Sequence, residues 1–419
     1  MSIPQPTLCL FEDHIVSNFE PLVYARPVFD LRCGAYTLKE KILSYYPDVA
    51  YGLWCRDALK GVVEERNHDI PVNSIVEGVT LYINGRVLMD DTLARTLTLE
   101  GPDCVFLQGD TLIAARMHDS RWPIFLSGSD AASVVRKTME QEDVHADRVT
   151  YAWDLIRMNG DELCRDYERI GGQSVNTSQF PGTDFINEQD VSISPDAVIL
   201  PGSVLDASEG PVMIGEGVRI LPHSYIQGPV SIGAGSIVQA GACVYGGTTV
   251  GPVCKVGGEV ASSIIHGYSN KQHHGFLGHA YLGEWVNLGA GTTNSNLKNT
   301  YGTISMRLDG EMVDTEMLFL GILMGDFGKS GINTTFNTGT IMGFSSNVVS
   351  TGIPSKYIPS FCWYGPAGMA DYQLTKALEV AQRMMARRDR TMGPLEQGRF
   401  VKVFGETARD RAKVFDLAM

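Results

Sequence analysis

The sequence predicts an α/β domain, then a parallel β-coil, then a helical tail, on three patterns of spacing. In the middle of the chain, aliphatic residues fall at Ile214, Ile220, Ile226, Ile232, Val238, Val244, Val250 and Val256, each six after the last. Before them, strand-like runs alternate with amphipathic stretches. After them, Tyr372, Leu374, Leu378, Ala381 and Met385 recur at near-helical spacing.

Period six defines the coil. A helix needs apolar residues every three to four positions, and a plain strand would not set Gly and Pro so regularly among them. In a parallel β-coil each hexapeptide forms one short face. Its aliphatic residue points inward, small residues allow the turn, and stacked turns share one core. The ladder has an earlier run at Ile193, Ile199 and Leu205, and resumes in a shifted phase at Phe276, Leu282 and Leu288. These marks place an α/β domain at 1–185, the coil at 186–365 with a loop over Thr292–Gly302, and the helical tail at 366–419. In the first domain Thr7–Phe11, Val79–Ile83 and Cys104–Leu107 read as strands, and Thr37–Tyr46 and Ala131–Glu142 as helices. Arg383, Arg387, Arg388 and Arg390 gather toward the end of the tail helix, where the dipole favours cations, and read as a solvated helix end.

Bulk composition narrows the function. The formal net charge is −14 and the pI about 5.1, which argues against nucleic acid or an anionic membrane as partner, since both need clustered Lys and Arg. Eight scattered cysteines without a C-x-x-C pair read as free thiols of a reducing compartment. Met1–Leu10 lacks the basic start and apolar run of a leader, and no stretch approaches the roughly 20 apolar residues of a membrane span. A cytoplasmic protein is expected.

Three groups of residues carry a resemblance. They are Leu10-Phe-Glu-Asp, Ala25-Arg26-Pro-Val-Phe-Asp30-Leu-Arg32-Cys-Gly34 and Thr37-Leu-Lys-Glu40-Lys41; Trp153-Asp154; and, in the coil, Asn270-Lys-Gln-His273-His-Gly-Phe-Leu-Gly, Gly283-Glu-Trp-Val-Asn287-Leu-Gly-Ala-Gly-Thr and Asn294-Ser-Asn296-Leu-Lys298-Asn. Over residues 8–365 the chain resembles a sugar nucleotidyltransferase family related to the bifunctional N-acetylglucosamine-1-phosphate uridyltransferase/glucosamine-1-phosphate N-acetyltransferase. The resemblance implies an α/β nucleotidyltransferase-like domain, a left-handed parallel β-helix and a homotrimer with an acetyl-CoA groove between coils. It also implies sugar phosphates and an NTP, UTP, as substrates, with Mg²⁺ accompanying the NTP, and UDP-N-acetylglucosamine as the kind of product.

Acetyl transfer to an amine needs a base to take the ammonium proton, and histidine suits that task near neutrality. His273 stands fourteen residues before Asn287, the spacing at which the resembled family places its catalytic histidine; His274 and His279 lie close by. Asn287 and Asn296 match polar groups that position the sugar and its amine, although asparagine is also common in coil turns. Lys298 is a candidate for a CoA phosphate, or simply an exposed lysine. The family's acceptor-phosphate Arg and Lys have no counterpart around Cys243 and Ala261, and Phe276 stands where the family has a tyrosine. Lys271 is the candidate replacement.

Nucleotidyl transfer needs cations around the triphosphate and carboxylates for Mg²⁺. Arg26, Arg32 and Lys41 are the phosphate candidates, against salt bridging to groups such as Asp30 or Glu40. Asp110 is the metal candidate, against a hairpin turn at Gln-Gly-Asp-Thr, and Asn84-Gly85-Arg86 shares that ambiguity. Asp326-Phe-Gly lies among repeats without kinase partners, and Gly328-Lys329-Ser330 lacks the upstream glycine of a phosphate loop; both are set aside. The leading expectation is a bifunctional enzyme of nucleotide-sugar synthesis. The alternatives are a single-function enzyme with one degenerate domain, and a sugar-nucleotide-binding scaffold.

Overall fold

The computed structural model describes residues 6–74, 78–118, 139–171, 175–350 and 352–416. In the first domain β1 (Thr7–Phe11), β2 (Tyr51–Trp54), β3 (Thr80–Asn84), β4 (Cys104–Gln108), β5 (Thr111–Met117) and β6 (Glu140–Asp143) form one sheet. Its order is β2-β1-β3-β5-β4-β6, with β1 parallel to both β2 and β3. Leu8, Leu10, Leu81, Ile83 and Phe106 are buried in its core. The described α-helices of this domain are α1 (Leu38–Ser44), α2 (Lys60–Arg66), α3 (Asp91–Thr96) and α4 (Ala152–Ile170). α1 is the helix expected from Thr37, whose hydroxyl accepts from Glu40 N while the Glu40 carboxylate accepts from Thr37 N, a capping box. Of the helix expected over Ala131–Glu142, residues 131–138 lie outside the described residues. Glu140–Glu142 instead belong to β6, because the open edge of β4 supplies a parallel ladder from Cys104↔Glu140 to Leu107↔Asp143.

The coil runs from strand Asp184–Ile186 to strand Cys362–Gly365. It stacks into six-, nine- and ten-stranded faces whose consecutive coil strands are parallel. The aliphatic ladder from Ile214 to Val256 is buried in a single core. Successive turns are eighteen residues apart at Ile232↔Val250, fifteen at Val250↔Ile265 and seventeen at Ile265↔Leu282. Those shortened turns shift the phase. As a result the inward residue is Leu277, paired with Val260, while Phe276 lies on the outer surface, a correction to the expected ladder. The expected loop over Thr292–Gly302 also begins later. Thr293–Asn294 is a coil strand paired with Thr335–Phe336, and the excursion that follows carries a hairpin, Ser305–Leu308 with Glu311–Asp314.

Segment 14–33 wedges between sheet domain and coil. Phe19, Leu22, Val28 and Leu31 pack with Ile264, Tyr281, Leu323 and Ile341 of the coil in one buried cluster. α4 adds a polar contact, Asn159 Nδ2 donating to Gly247 O at 2.8 Å. In the tail, hairpin strand Gly368–Asp371 precedes α5 (Leu374–Ala386), α6 (Pro394–Glu406) and α7 (Ala408–Asp416). Ala377, Ala381 and Met385 of α5 are buried with Trp285, Phe327, Phe344, Phe361 and Phe400. All eight cysteines are free, and no described helix is long and apolar enough to cross a membrane.

Candidate functional site

His273 is exposed at a coil corner, three residues after Asn270. That corner is pinned from inside. Lys271 occupies an inward coil position, paired with Val256, and is 2% exposed. Its ammonium donates to Gly257 O at 2.8 Å and to His273 O at 2.6 Å, and burial lowers its pKa to about 8. The amine is therefore enclosed among carbonyls. It fastens the backbone that carries His273 and does not reach out to an acceptor phosphate, as the sequence had suggested.

Asn296 pairs with a different histidine. Its Nδ2 lies 3.0 Å from His279 Nδ1, and the His279 ring stacks on Phe319 with centroids 5.3 Å apart. Gly278 makes this close packing possible: a Cβ there would come within 2.3 Å of the Phe276 ring and 2.9 Å of Asn296 Nδ2. Burial lowers the pKa of His279 to about 4. An NMR titration should find this imidazole still neutral at pH 5.5, and a protonation midpoint near 6.5 would contradict the geometry.

Asn287 lies on the ten-stranded face, where its Oδ1 accepts from Asn270 Nδ2 at 3.2 Å. Asn270 in turn accepts from Arg388 of the tail at 2.9 Å. Arg390 donates to Tyr268 Oη at 2.8 Å. The arginine cluster read as a solvated helix end is thus partly docked on the coil, although Arg383 remains 76% exposed. Among the described residues no hydrogen bond joins His273, Asn287 and Asn296 to one another; they lie around two adjoining faces. Lys298 donates to Thr303 O within the excursion, closing the base of that loop.

The N-terminal candidates are engaged elsewhere. Arg26 is 1% exposed, and its guanidinium bonds Asp326 at 2.8 and 2.9 Å and Glu284 at 2.9 Å, both in the coil. Arg32 donates from Nε to His266 O at 3.1 Å and from Nη1 to Ala35 O at 3.0 Å. Lys41 lies between Glu162 at 2.7 Å and Asp166 at 2.5 Å, at the wall of a cavity of about 570 Å³. Burial raises Asp166 to about 6. The structure gives these three residues internal partners: Arg26 and Lys41 meet carboxylates distant in sequence, while Arg32 meets His266 O, the nearby Ala35 O and, at 4.0 Å, the Glu40 carboxylate that the salt-bridge reading named. Gly34 of the same motif has φ +80°, and a Cβ there would come within 2.3 Å of Asp166, so the motif packs tightly against α4.

In an open α/β sheet, ligands favour the crevice at the carboxyl ends of the strands. Here that crevice holds a polar cluster that the sequence did not flag as a unit. Arg86 Nη2 bonds Asp13 at 2.5 Å, Asn84 Nδ2 bonds Asp13 at 2.9 Å, and Arg56 bonds Glu12 at 2.7 Å. The pairing of Asp13 with Asn84-Gly-Arg86 was visible only as two separate polar motifs. Asp110 is exposed in the two-residue turn between β4 and β5, where Gln108 pairs with Thr111. The hairpin turn expected at Gln-Gly-Asp-Thr is present. Among the described residues no three His, Cys, Asp or Glu side chains gather to hold a metal.

Residues 8–174 match the sugar nucleotidyl transferase family, and residues 211–246 match the bacterial transferase hexapeptide, six repeats. A relative from Acidithiobacillus ferrooxidans named bifunctional protein GlmU is 40% identical over 85 residues, 20% of this chain and 18% of that one. A GlmU from Thermus thermophilus is 30% identical over 161 residues, 34% of each chain. One from Synechococcus elongatus is 24% identical over 310 residues, 66% of this chain and 64% of that one. The chain therefore spans about a fifth to two thirds of the relatives it matches. The chain thus has two parts, a first domain similar to the sugar nucleotidyl transferase family and a coil that contains the hexapeptide match. Its relatives are the bacterial proteins named GlmU, at modest identity.

Proposed function

We propose that the chain is a GlmU-like bifunctional transferase of nucleotide-sugar synthesis. The coil transfers acetyl from acetyl-CoA to the amine of an amino sugar phosphate. The first domain joins a nucleotide from an NTP, UTP, to a sugar-1-phosphate, as in the formation of UDP-N-acetylglucosamine. The reading includes a cytoplasmic homotrimer. What supports it above all is His273, exposed at a corner whose backbone Lys271 holds from within. In the reaction the imidazole takes a proton from the sugar ammonium and the freed nitrogen attacks the thioester carbonyl. The C–S bond then breaks, and the thiolate leaves to be protonated as free CoA.

A second reading keeps the coil chemistry but gives the first domain a structural or sugar-nucleotide-binding role. It is favoured by Arg26 and Lys41, whose charges are matched by buried carboxylates. One screen separates the two. The intact chain is incubated with acetyl-CoA and amino sugar phosphates, and in parallel with sugar-1-phosphates, each of four NTPs and Mg²⁺. Thiol release together with pyrophosphate supports the bifunctional reading, and thiol release alone supports the second. Neither product with any substrate overturns both in favour of a scaffold.

A further inference from the structure

A groove of about 270 Å³ runs between the ten-stranded face of the coil and α5, and no carboxylate lines it. From the tail it receives Arg387 and Arg388, and from the coil Lys329, Asn270 and Asn287. One wall is Tyr268 stacked on Trp285, centroids 4.5 Å apart. Among the described residues none of the three cations makes a carboxylate ion pair. This is unusual in a chain with 48 acidic and 34 basic residues. Lys329 donates once, to Phe327 O at 2.6 Å, and Arg388 bonds Asn270 Oδ1 at 2.9 Å, so both keep N–H donors to spare. The helix dipole accounts for arginines at the end of α5, but not for a lysine supplied by the coil.

The geometry points to a phosphate-binding subsite for a phosphate monoester, formed where the tail covers the coil beside Asn287. Three cations and two carboxamides converge on a space at the small end of ligand pockets, which commonly span about 300–1,000 Å³. That suits a sugar phosphate, or the phosphate end of a larger molecule. The subsite deepens the acetyl-transfer reading, because these cations stand in for those missing around Cys243 and Ala261. It rests on that reading only for the ligand's role in catalysis.

Calorimetric titration of the intact chain tests it with glucosamine-1-phosphate against glucosamine, and CoA against 3′-dephospho-CoA. The expected result is that Arg387→Gln and Lys329→Met each weaken one phosphorylated ligand by on the order of tenfold or more, with glucosamine unaffected. The pair that responds identifies the source of the phosphate. Arg387 has no hydrogen-bonded side-chain partner among the described residues, so its replacement leaves the fold unaltered. Wild-type affinity of both variants for both phosphorylated ligands, or no binding of either by the parent chain, overturns the subsite. Acetyl-transfer assays keep the two readings apart. Phosphate-dependent binding without thiol release leaves the subsite standing and removes the catalytic reading. Thiol release with unchanged KM in both variants does the opposite.

Discussion

Replacing Arg26 with methionine should lower the stability of the chain by about 3–5 kcal/mol, measured as a fall in the urea midpoint at unchanged slope. Arg26 and Asp326 are 1% and 2% exposed, and Glu284 adds a second carboxylate at 2.9 Å. Removing the guanidinium leaves Asp326 buried without its cation, and the desolvation of that charge is no longer offset. The Asp326 Oδ1 also accepts from Glu284 N at 2.8 Å, so it anchors a coil turn as well as the arginine. Adding Asp326→Asn to Arg26→Met should recover part of the loss, since an amide oxygen still serves Glu284 N without a charge. Equal midpoints for Arg26→Met and the parent would show that the pair does not hold sheet domain and coil together.

His273→Ala should cost acetyl transfer roughly 10²–10⁴-fold in kcat, the usual size of a lost general base. Because His273 is exposed and its side chain makes no hydrogen bond among the described residues, stability should stay within about 0.5 kcal/mol of the parent. Loss of activity would then belong to the chemistry and not to unfolding. His279→Ala provides the contrast. That ring is half-buried, stacked on Phe319, and its Nδ1 faces the Asn296 amide, so its loss should disturb Asn296 and stability together. Full thiol release by His273→Ala would move the base elsewhere, with His274 at the same corner as the next candidate.

How much could be read from the chain alone depended on range. The strands Thr7–Phe11 and Cys104–Gln108 and the helix behind Thr37 follow from apolar runs and a capping box within a few residues. β6 could not be read that way, because Glu140–Asp143 has no strand-like composition and is ordered by the edge of β4. Phe276 was misplaced by one position because shortened coil turns reset the inward phase, which only the pairing register reveals. The Arg26–Gly34 segment looked like phosphate chemistry because arginines and glycine commonly cradle phosphates. Its partners, Asp326 and Glu284, lie about 300 and 258 residues away, and Asp326 sat in a motif dismissed as a chance match.

By itself the sequence determined the coil and its core from Ile214 to Val256, because a six-residue period is a local property in which each residue's face depends on near neighbours. Tertiary structure alone decided what the charges do. Whether Arg26, Lys41, Lys271 or Lys329 faces a ligand or a buried partner depends on which distant groups converge on it. Lys271 turned inward to carbonyls at 2.6 and 2.8 Å, whereas Lys329 joined two tail arginines in a groove without a carboxylate. Desolvation and pairing set those outcomes, and both are properties of packing that no spacing along the chain encodes.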